Sequence, residues 1–356
     1  MLSTLYKLSP ASGKVTQCTI STYDEMVLTE TGYVDGVKTL HQYQAKPKNL
    51  GKANETTAEQ QAIAEAIAKH AKKLKSGYTT DPSGTQTTLT PMKVNDYHKH
   101  KSKVVFPCYV SNKLNGVNAE YRLIDDKLTL LSRGGETYPR IPHLEQSVRK
   151  LMSDLGVTSL NGELYHHGTS LQVITSWVKK PKLESSNLEF HVFDIPTSTH
   201  KYYERAAQLE ATDYPHIVPY QLATSHDELT TLHDKAVAQG YEGIVIRNAD
   251  CMYEYNTRSL SAFKYKVAMD AEFLVVGYKL DKYGHPVYSC KSDGGNFSVK
   301  RKGTAAERLA DATIAKSNIG KYLTVEFESL SDLGKPTKPV GLDFRLCDAS
   351  TGEPLV

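Results

Sequence analysis

No stretch of this chain approaches the roughly eighteen consecutive apolar residues that cross a bilayer, so no membrane-spanning helix is expected. Its five cysteines, Cys18, Cys108, Cys251, Cys290 and Cys347, form no CxxC pair and have no closely spaced histidine. That scatter argues against both a disulfide framework and a four-cysteine zinc module, and it reads the thiols as reduced packing residues. The opening MLSTLYKLSPASGK lacks a basic flank, an apolar core and a small-residue cleavage site, so a cytoplasmic rather than a secreted protein is expected. No Ser/His/Asp or Cys/His constellation stands out either. The net charge of +3 is too small to name a partner, although it suits an anionic one better than a cationic one.

What is present is ample material for several cores. A chain of 356 residues, 39% hydrophobic and 23% charged, reads as a soluble globular protein of two or three domains. VTQCTI, MVLTETGYV and VKTLHQYQ read as strands, with Asp35-Gly36 as a hairpin signal between the last two. A helix follows: Thr57 and Gln60 have capping-box spacing, and Ile63, Ala66, Ile67, Ala71 and Leu74 share a face. Lys72, Lys73 and Lys75 suit its C-terminal dipole, and Gly77 stops it. Residues 1–78 are thus expected to form a small α+β module, and the Ser/Thr/Gly/Pro-rich residues 79–90 an exposed linker.

From 91 to 268 strands and helices alternate. HLEQSVRKLMSDLG and SHDELTTLHDKAVAQG are helical, the first with Leu144, Val148, Leu151 and Leu155 in register, the second with Ser225 and Glu228 as a capping box. TSLNGELYHHG, NLEFHVFDI and GIVIRN read as strands that end in polar clusters. Residues 269–356 give a three-strand meander, a helix over TAAERLADATIAK, a further strand and a Pro-rich tail, which is the layout of an OB barrel.

Six short motifs occur in the middle and at its end: KLNG at 113, SRGG at 132, LNGELY at 160, FDI at 193, EGIVIR at 242 and KYK at 264. Alone, a lysine beside a glycine is a solvated surface residue, and KLNG leaves that reading open. Glutamates inside strands, such as Glu163, Glu242 and Glu272, are more informative, because a buried carboxylate needs a partner. Lys264 and Lys266, two apart on an extended segment, point to one side and suit a phosphate. Glu163 and Glu242 offer oxygen ligands for magnesium. A lysine with a pKa near 10.4 becomes a nucleophile only when nearby cations or desolvation lower it.

Taken in order, KLNG, SRGG, LNGELY, VFDI, EGIVIR and FKYK resemble the motif series of the covalent nucleotidyltransferases, specifically the small ATP-dependent DNA ligases typical of phages. The resemblance covers residues 91–356 and implies an adenylation domain over 91–268 followed by an OB-fold domain over 269–356. It implies that Lys113 attacks ATP to give lysyl-AMP, that AMP passes to the 5′-phosphate of a nick in duplex DNA, and that the 3′-hydroxyl then seals it. It further implies ATP and Mg2+ as cofactors, with Arg133, Glu163, Phe193, Lys264, Lys266 and Ser111 around the nucleotide, Glu242 and Glu163 on the metal, and Lys338 and Arg345 near pyrophosphate. In this reading Arg205 and Arg247 are structural or DNA-facing. A monomer acting on nicked duplex DNA, without a membrane partner, is expected. Nicotinamide-dependent ligases fit less well, since their four-cysteine zinc module and helical repeats are missing here.

Two positions depart from the family's KxDGxR: Asn115 stands for its aspartate and Asn118 for its arginine. KxHGxN occurs in a group of RNA ligases, so an RNA ligase, a capping guanylyltransferase and a catalytically inactive binding protein stay open beside the DNA ligase. TGYVDGVKTLHQYQ and the helix after it are similar to WGR-type modules, although the tryptophan and arginine of that name are missing. The similarity implies nucleic-acid binding by residues 1–78; a stability cap is the alternative.

Overall fold

The computed structural model describes residues 2–9, 12–85, 88–266 and 269–346, so Cys347 lies outside the described residues. The chain divides into two compact units, one joining residues 1–86 with 267–356 and the other spanning 87–266. Among the described residues no helix is long and apolar enough to cross a membrane. Cys18, Cys108, Cys251 and Cys290 are buried free thiols.

The N-terminal segment forms a four-stranded antiparallel meander, β1 (Leu5–Leu8), β2 (Val15–Tyr23), β3 (Met26–Tyr33) and β4 (Thr39–Gln44), covered by α1 (Ala58–Lys75). The capping box forms as its spacing predicts: Thr57 Oγ1 accepts from Gln60 N at 3.2 Å, and Gln60 Oε1 accepts from Thr57 N at 3.0 Å. The buried face of α1 is only in part the expected one. Ala66 turns inward as expected, but Ala62 joins it on Leu5, Cys18, Ile20 and Val27, while Ile63, Ile67 and Leu74 are exposed. Small residues let the helix lie close to the sheet, and the larger ones lie beyond reach of it.

Residues 79–85 do not run as free chain. Thr79 pairs with Tyr6 on β1, Leu8 N donates to Gly84 O at 2.8 Å, and a Cβ on Gly84 would stand 2.5 Å from Leu8 N. At the other end of the expected linker, Thr90 is buried and both its N and Oγ1 donate to Asn256 Oδ1.

The 87–266 unit holds two sheets. In chain order its elements are β5 (Lys93–Asp96), α2 (Tyr97–His100), β6 (Cys108–Lys113), β7 (Val117–Ile124), β8 (Lys127–Ser132), α3 (Pro142–Leu155), β9 (Ser159–Tyr165) and α4 (Leu171–Lys179). They continue with β10 (Glu189–Asp194), α5 (Tyr202–Glu210), β11 (Tyr220–Ala223), α6 (His226–Ala238), β12 (Gly243–Asn248) and β13 (Arg258–Tyr265). One sheet has the order β10-β9-β7-β8 and the other β11-β6-β12-β13-β5. Leu144, Val148 and Leu151 of α3 are buried with Tyr121, Leu160, Leu164 and Phe190, so the first sheet presents its apolar face to the helices. Its other face is polar. Gly156 ends α3 at φ 64°, the left-handed position that glycine takes without strain. Ser225 caps α6 by accepting from Glu228 N, but the Glu228 carboxylate reaches back to Thr224 N instead of closing the expected box.

The C-terminal part closes as a barrel of order β14-β15-β16-β18-β17, with β14 (Met269–Leu280), β15 (Pro286–Ser292), β16 (Gly295–Arg301), β17 (Tyr322–Phe327) and β18 (Val340–Arg345). Helix α7 (Ala305–Ile314) stands between the third and fourth strands, as an OB layout requires. The tail, read from sequence only as Pro-rich, supplies the closing strand: β18 pairs antiparallel with β17 and parallel with β16.

Barrel and N-terminal segment meet within their shared unit. The Tyr43 and Tyr283 rings pack edge to face at 5.4 Å, and Lys282 Nζ lies 3.9 Å above the Tyr43 ring and 3.5 Å from Glu65 Oε2.

Candidate active site

The chain passes from one sheet of the 87–266 unit to the other at KLNG: Lys113 is the last residue of β6 and Val117 the first of β7. The turn between them lies on β9, where a Cβ on Gly116 would stand 2.4 Å from Leu164 O and 2.8 Å from Glu163 Cγ. Only glycine fits so close to a backbone carbonyl, which explains KLNG sterically. Asn115 is exposed in this turn, so the residue replacing the family's aspartate has no buried carboxylate role to fill.

Strand register then collects the basic groups. Val245 of β12 is opposite Ser111 on β6 and Lys264 on β13, so these three side chains share one face. Lys113, two residues beyond Ser111, points the same way. Glu242, just before β12, donates its N–H to Lys113 O at 3.0 Å, and its carboxylate binds Lys113 Nζ at 2.5 Å and Lys266 Nζ at 2.9 Å. Burial works against this carboxylate's charge, yet the charges and hydrogen bonds of Lys113 and Lys266 hold Glu242 below the usual carboxylate range.

The facing sheet contributes a second row. Asn118 on β7, Glu163 on β9 and His191 on β10 are direct cross-strand neighbours on its polar face. Burial pushes the Glu163 carboxyl up to about 7 against the pull of the Lys113 charge; Glu242 reinforces the rise, while Arg133 and a hydrogen bond from Asn118 resist it. Two carboxylates beside one lysine are thereby driven in opposite directions, a pattern typical of functional sites. Arg133 follows β8 in a tight turn, where Ser132 Oγ accepts from Gly134 N and Glu136 N, and its side chain is exposed.

Phe193 is half-buried at the β10 bulge, with the Arg247 guanidinium 5.3 Å from its ring. It lines a cleft of about 180 Å³ with Tyr202, Leu209, Tyr214 and Tyr220. Arg247 is buried and reaches Ser111 Oγ at 3.5 Å, which links Phe193 to the Lys113 strand. Arg205 is fully buried, with Nε 2.6 Å from Asp194 Oδ1, and anchors α5 to the FDI strand. Lys338 and Arg345 belong to the barrel unit. There Lys338 pairs with Glu328, and Arg345 Nε is 3.7 Å from Glu272 Oε1. Glu272, noted as a strand glutamate, also accepts from Thr324 Oγ1 at 2.8 Å.

The fold brings together Lys113, Glu163, Glu242 and Lys266, all named from the sequence, with Arg133 in electrostatic reach, and it adds His191 beside Glu163. Alternation along NLEFHVFDI places His191 on the face of Phe193, and that was the available signal.

Residues 91–266 match the family described as ATP dependent DNA ligase domain. The DNA ligase of African swine fever virus (isolate Warthog/Namibia/Wart80/1980) is 30% identical over 333 residues, covering 84% of this chain and 78% of the viral protein. The DNA ligase of Haemophilus influenzae is 23% identical over 250 residues, covering 67% of this chain and 87% of that protein. Among solved structures, a Lig E DNA ligase superposes with a TM-score of 0.60 at 20% identity, covering 72% of this chain and 99% of that one, a likeness of fold. With its ordered motifs, its two-sheet domain and its closed barrel, this chain belongs to the ATP-dependent DNA ligases.

Proposed function

We propose that the chain seals 5′-phosphate/3′-hydroxyl nicks in duplex DNA, acts as a monomer, and uses Lys113 as its nucleophile. The observation that supports this reading is the grouping of Lys113, Glu242 and Lys266 opposite Glu163 and Asn118. Attack by Lys113 Nζ on the α-phosphorus of ATP forms a P–N bond and breaks the bond to the pyrophosphate oxygen. The ammonium must first lose a proton to solvent, and the Glu242 carboxylate, 2.5 Å away, orients the nitrogen for attack. Lys266 and Lys264 lie where the charge grows on the phosphoryl oxygens, and positioning with charge neutralisation supplies most of the acceleration in such displacements.

A 5′-phosphate oxygen of the nick then displaces Lys113, leaving an adenylylated end, and the 3′-hydroxyl displaces AMP to form the phosphodiester. Asn118 Oδ1 is buried without a hydrogen-bond partner among the described residues, an acceptor ready for a ribose hydroxyl. Phe193 offers a ring face to the base, and Ser111 and Arg133 complete the polar lining.

Magnesium fits the same residues. Burial, with the Glu242 charge beside it, holds Glu163 toward neutrality, and the ion takes oxygen ligands of the kind that Glu163 and Glu242 present. When bound it supplies charge neutralisation at the triphosphate. Lys338 and Arg345 are assigned to pyrophosphate, and the N-terminal segment, with Lys72, Lys73 and Lys75 on the last turn of α1, to duplex DNA.

Incubation with α-labelled ATP and magnesium, followed by denaturation, tests the reading. Label retained on the chain, released by acid and absent in Lys113→Ala is expected, as is preferential sealing of nicked DNA over nicked RNA and hybrid duplexes. Label retained by Lys113→Ala would overturn the assignment of the nucleophile.

A further inference from the structure

Outside the Lys113 cluster, one group of side chains has the chemistry of a metal centre. Glu189 and His191, two residues apart on β10, point to the same side, and His216 joins them from the segment between α5 and β11. His191 Nε2 lies 2.7 Å from Glu189 Oε2, His216 Nδ1 lies 3.8 Å from the same oxygen, and the three donor atoms are all within 4.8 Å of one another. Four-coordinate zinc with bonds of about 2.0 Å separates neighbouring ligand atoms by roughly 3.3 Å, in the middle of that range. Small side-chain rotations therefore suffice to converge on one ion.

The backbone that carries these groups is already fixed. Val192 N donates to His216 O at 2.9 Å, Val218 N donates to Val192 O at 2.8 Å, and Tyr214 Oη donates to Phe190 O at 3.0 Å. His216 is thus held on β10 from both sides and does not depend on a free loop. The Tyr165 ring packs edge-on against His191 at 5.4 Å and limits its rotation. All three ligand side chains are partly exposed, which leaves a path for the ion and room for a water ligand. Here two imidazoles converge on one carboxylate oxygen, His191 within hydrogen-bond distance of it and His216 just beyond.

We propose that Glu189, His191 and His216 bind one transition-metal ion of the zinc type, distinct from the magnesium that serves the nucleotide. Two nitrogens and one oxygen suit zinc, cobalt or nickel, whereas magnesium seeks oxygen ligands alone. His191 is the cross-strand neighbour of Glu163, so the ion braces the wall on which Glu163 and Phe193 stand. The inference does not rest on the assignment of Lys113.

The test is titration of the metal-stripped full-length chain with Co2+ in the presence of excess Mg2+. Expected are visible d–d bands saturating at one ion per chain, their loss on adding Zn2+, and binding weakened at least about tenfold in both His216→Ala and Glu189→Gln. Glu189→Gln keeps the side-chain shape, and circular dichroism verifies that both variants fold. Absence of bands in the wild-type chain, or bands of unchanged affinity in both folded variants, would overturn the proposal.

Discussion

One carboxylate restrains two lysines: Glu242 accepts from Lys113 Nζ through Oε2 and from Lys266 Nζ through Oε1. This bridge orients the attacking nitrogen along its strand and sets a second positive charge beside it. Glu242→Gln and Lys266→Ala are each expected to slow formation of the acid-labile adduct by about 10²- to 10³-fold, the size seen when one preorganised electrostatic group is removed. Single-turnover labelling with α-labelled ATP measures this. A rate within a few-fold of wild type in both variants would contradict the role given to the bridge.

Gly116→Ala should disturb the same site sterically. Its Cβ meets the Leu164 carbonyl, so the turn must move off β9, at a cost of about 1–3 kcal/mol. Urea denaturation of the variant would show the loss, and an unchanged midpoint would mean that the turn has more room than described.

The Asp194–Arg205 pair is almost wholly buried. Asp194→Ala leaves a guanidinium without its counter-charge in the interior, and a loss of about 3–5 kcal/mol is expected, read from the denaturation midpoint. The double variant Asp194→Ala/Arg205→Met should recover only part of it, because Arg247, whose Nε lies 4.0 Å from Asp194 Oδ2, still loses its counter-charge.

Glu65 makes the contact between α1 and the barrel sensitive to acid. Burial opposes its charge, but hydrogen bonds from Tyr43, Gln61 and Lys48 and the nearby Lys282 together lower it from 4.5 to about 2. A depressed carboxylate contributes stability that is complete above its ordinary value and disappears as pH falls through the folded one, here between about 4.5 and about 2. Thermal melts of wild type and Glu65→Gln should therefore differ at pH 6 and converge as the pH is brought toward 2. A difference independent of pH would point to shape rather than charge.

If the N-terminal segment touches duplex DNA, Lys72→Ala/Lys75→Ala weakens binding and flattens its salt dependence, because fewer counterions are released. Unchanged affinity and slope would leave that segment a stability role only.

Local signals were legible in the sequence wherever one residue type meets one backbone demand. Thr57 with Gln60, Gly156 at positive φ and the Leu144/Val148/Leu151 stripe are of that kind. The lysine and glutamates of the site were legible through their order along the chain. What escaped depended on distant partners. The face of α1 is legible only at Ala66, because Ala62 fits the sheet beside it while Ile63 and Ile67 outweigh it in any hydrophobic pattern. Strand β18 is short and carries Gly341 and Asp343, and it becomes a strand only between β16 and β17. Residues 79–85 look like linker by composition, and what orders them is the backbone of β1.

Lys113 closes one sheet and four residues later the next sheet begins, so the reacting nitrogen sits at a seam. A slip of one sheet against the other changes what surrounds that nitrogen. Lys113 is therefore a natural strain gauge: its reactivity toward an amine-selective reagent should register core substitutions in either sheet, well before global unfolding does.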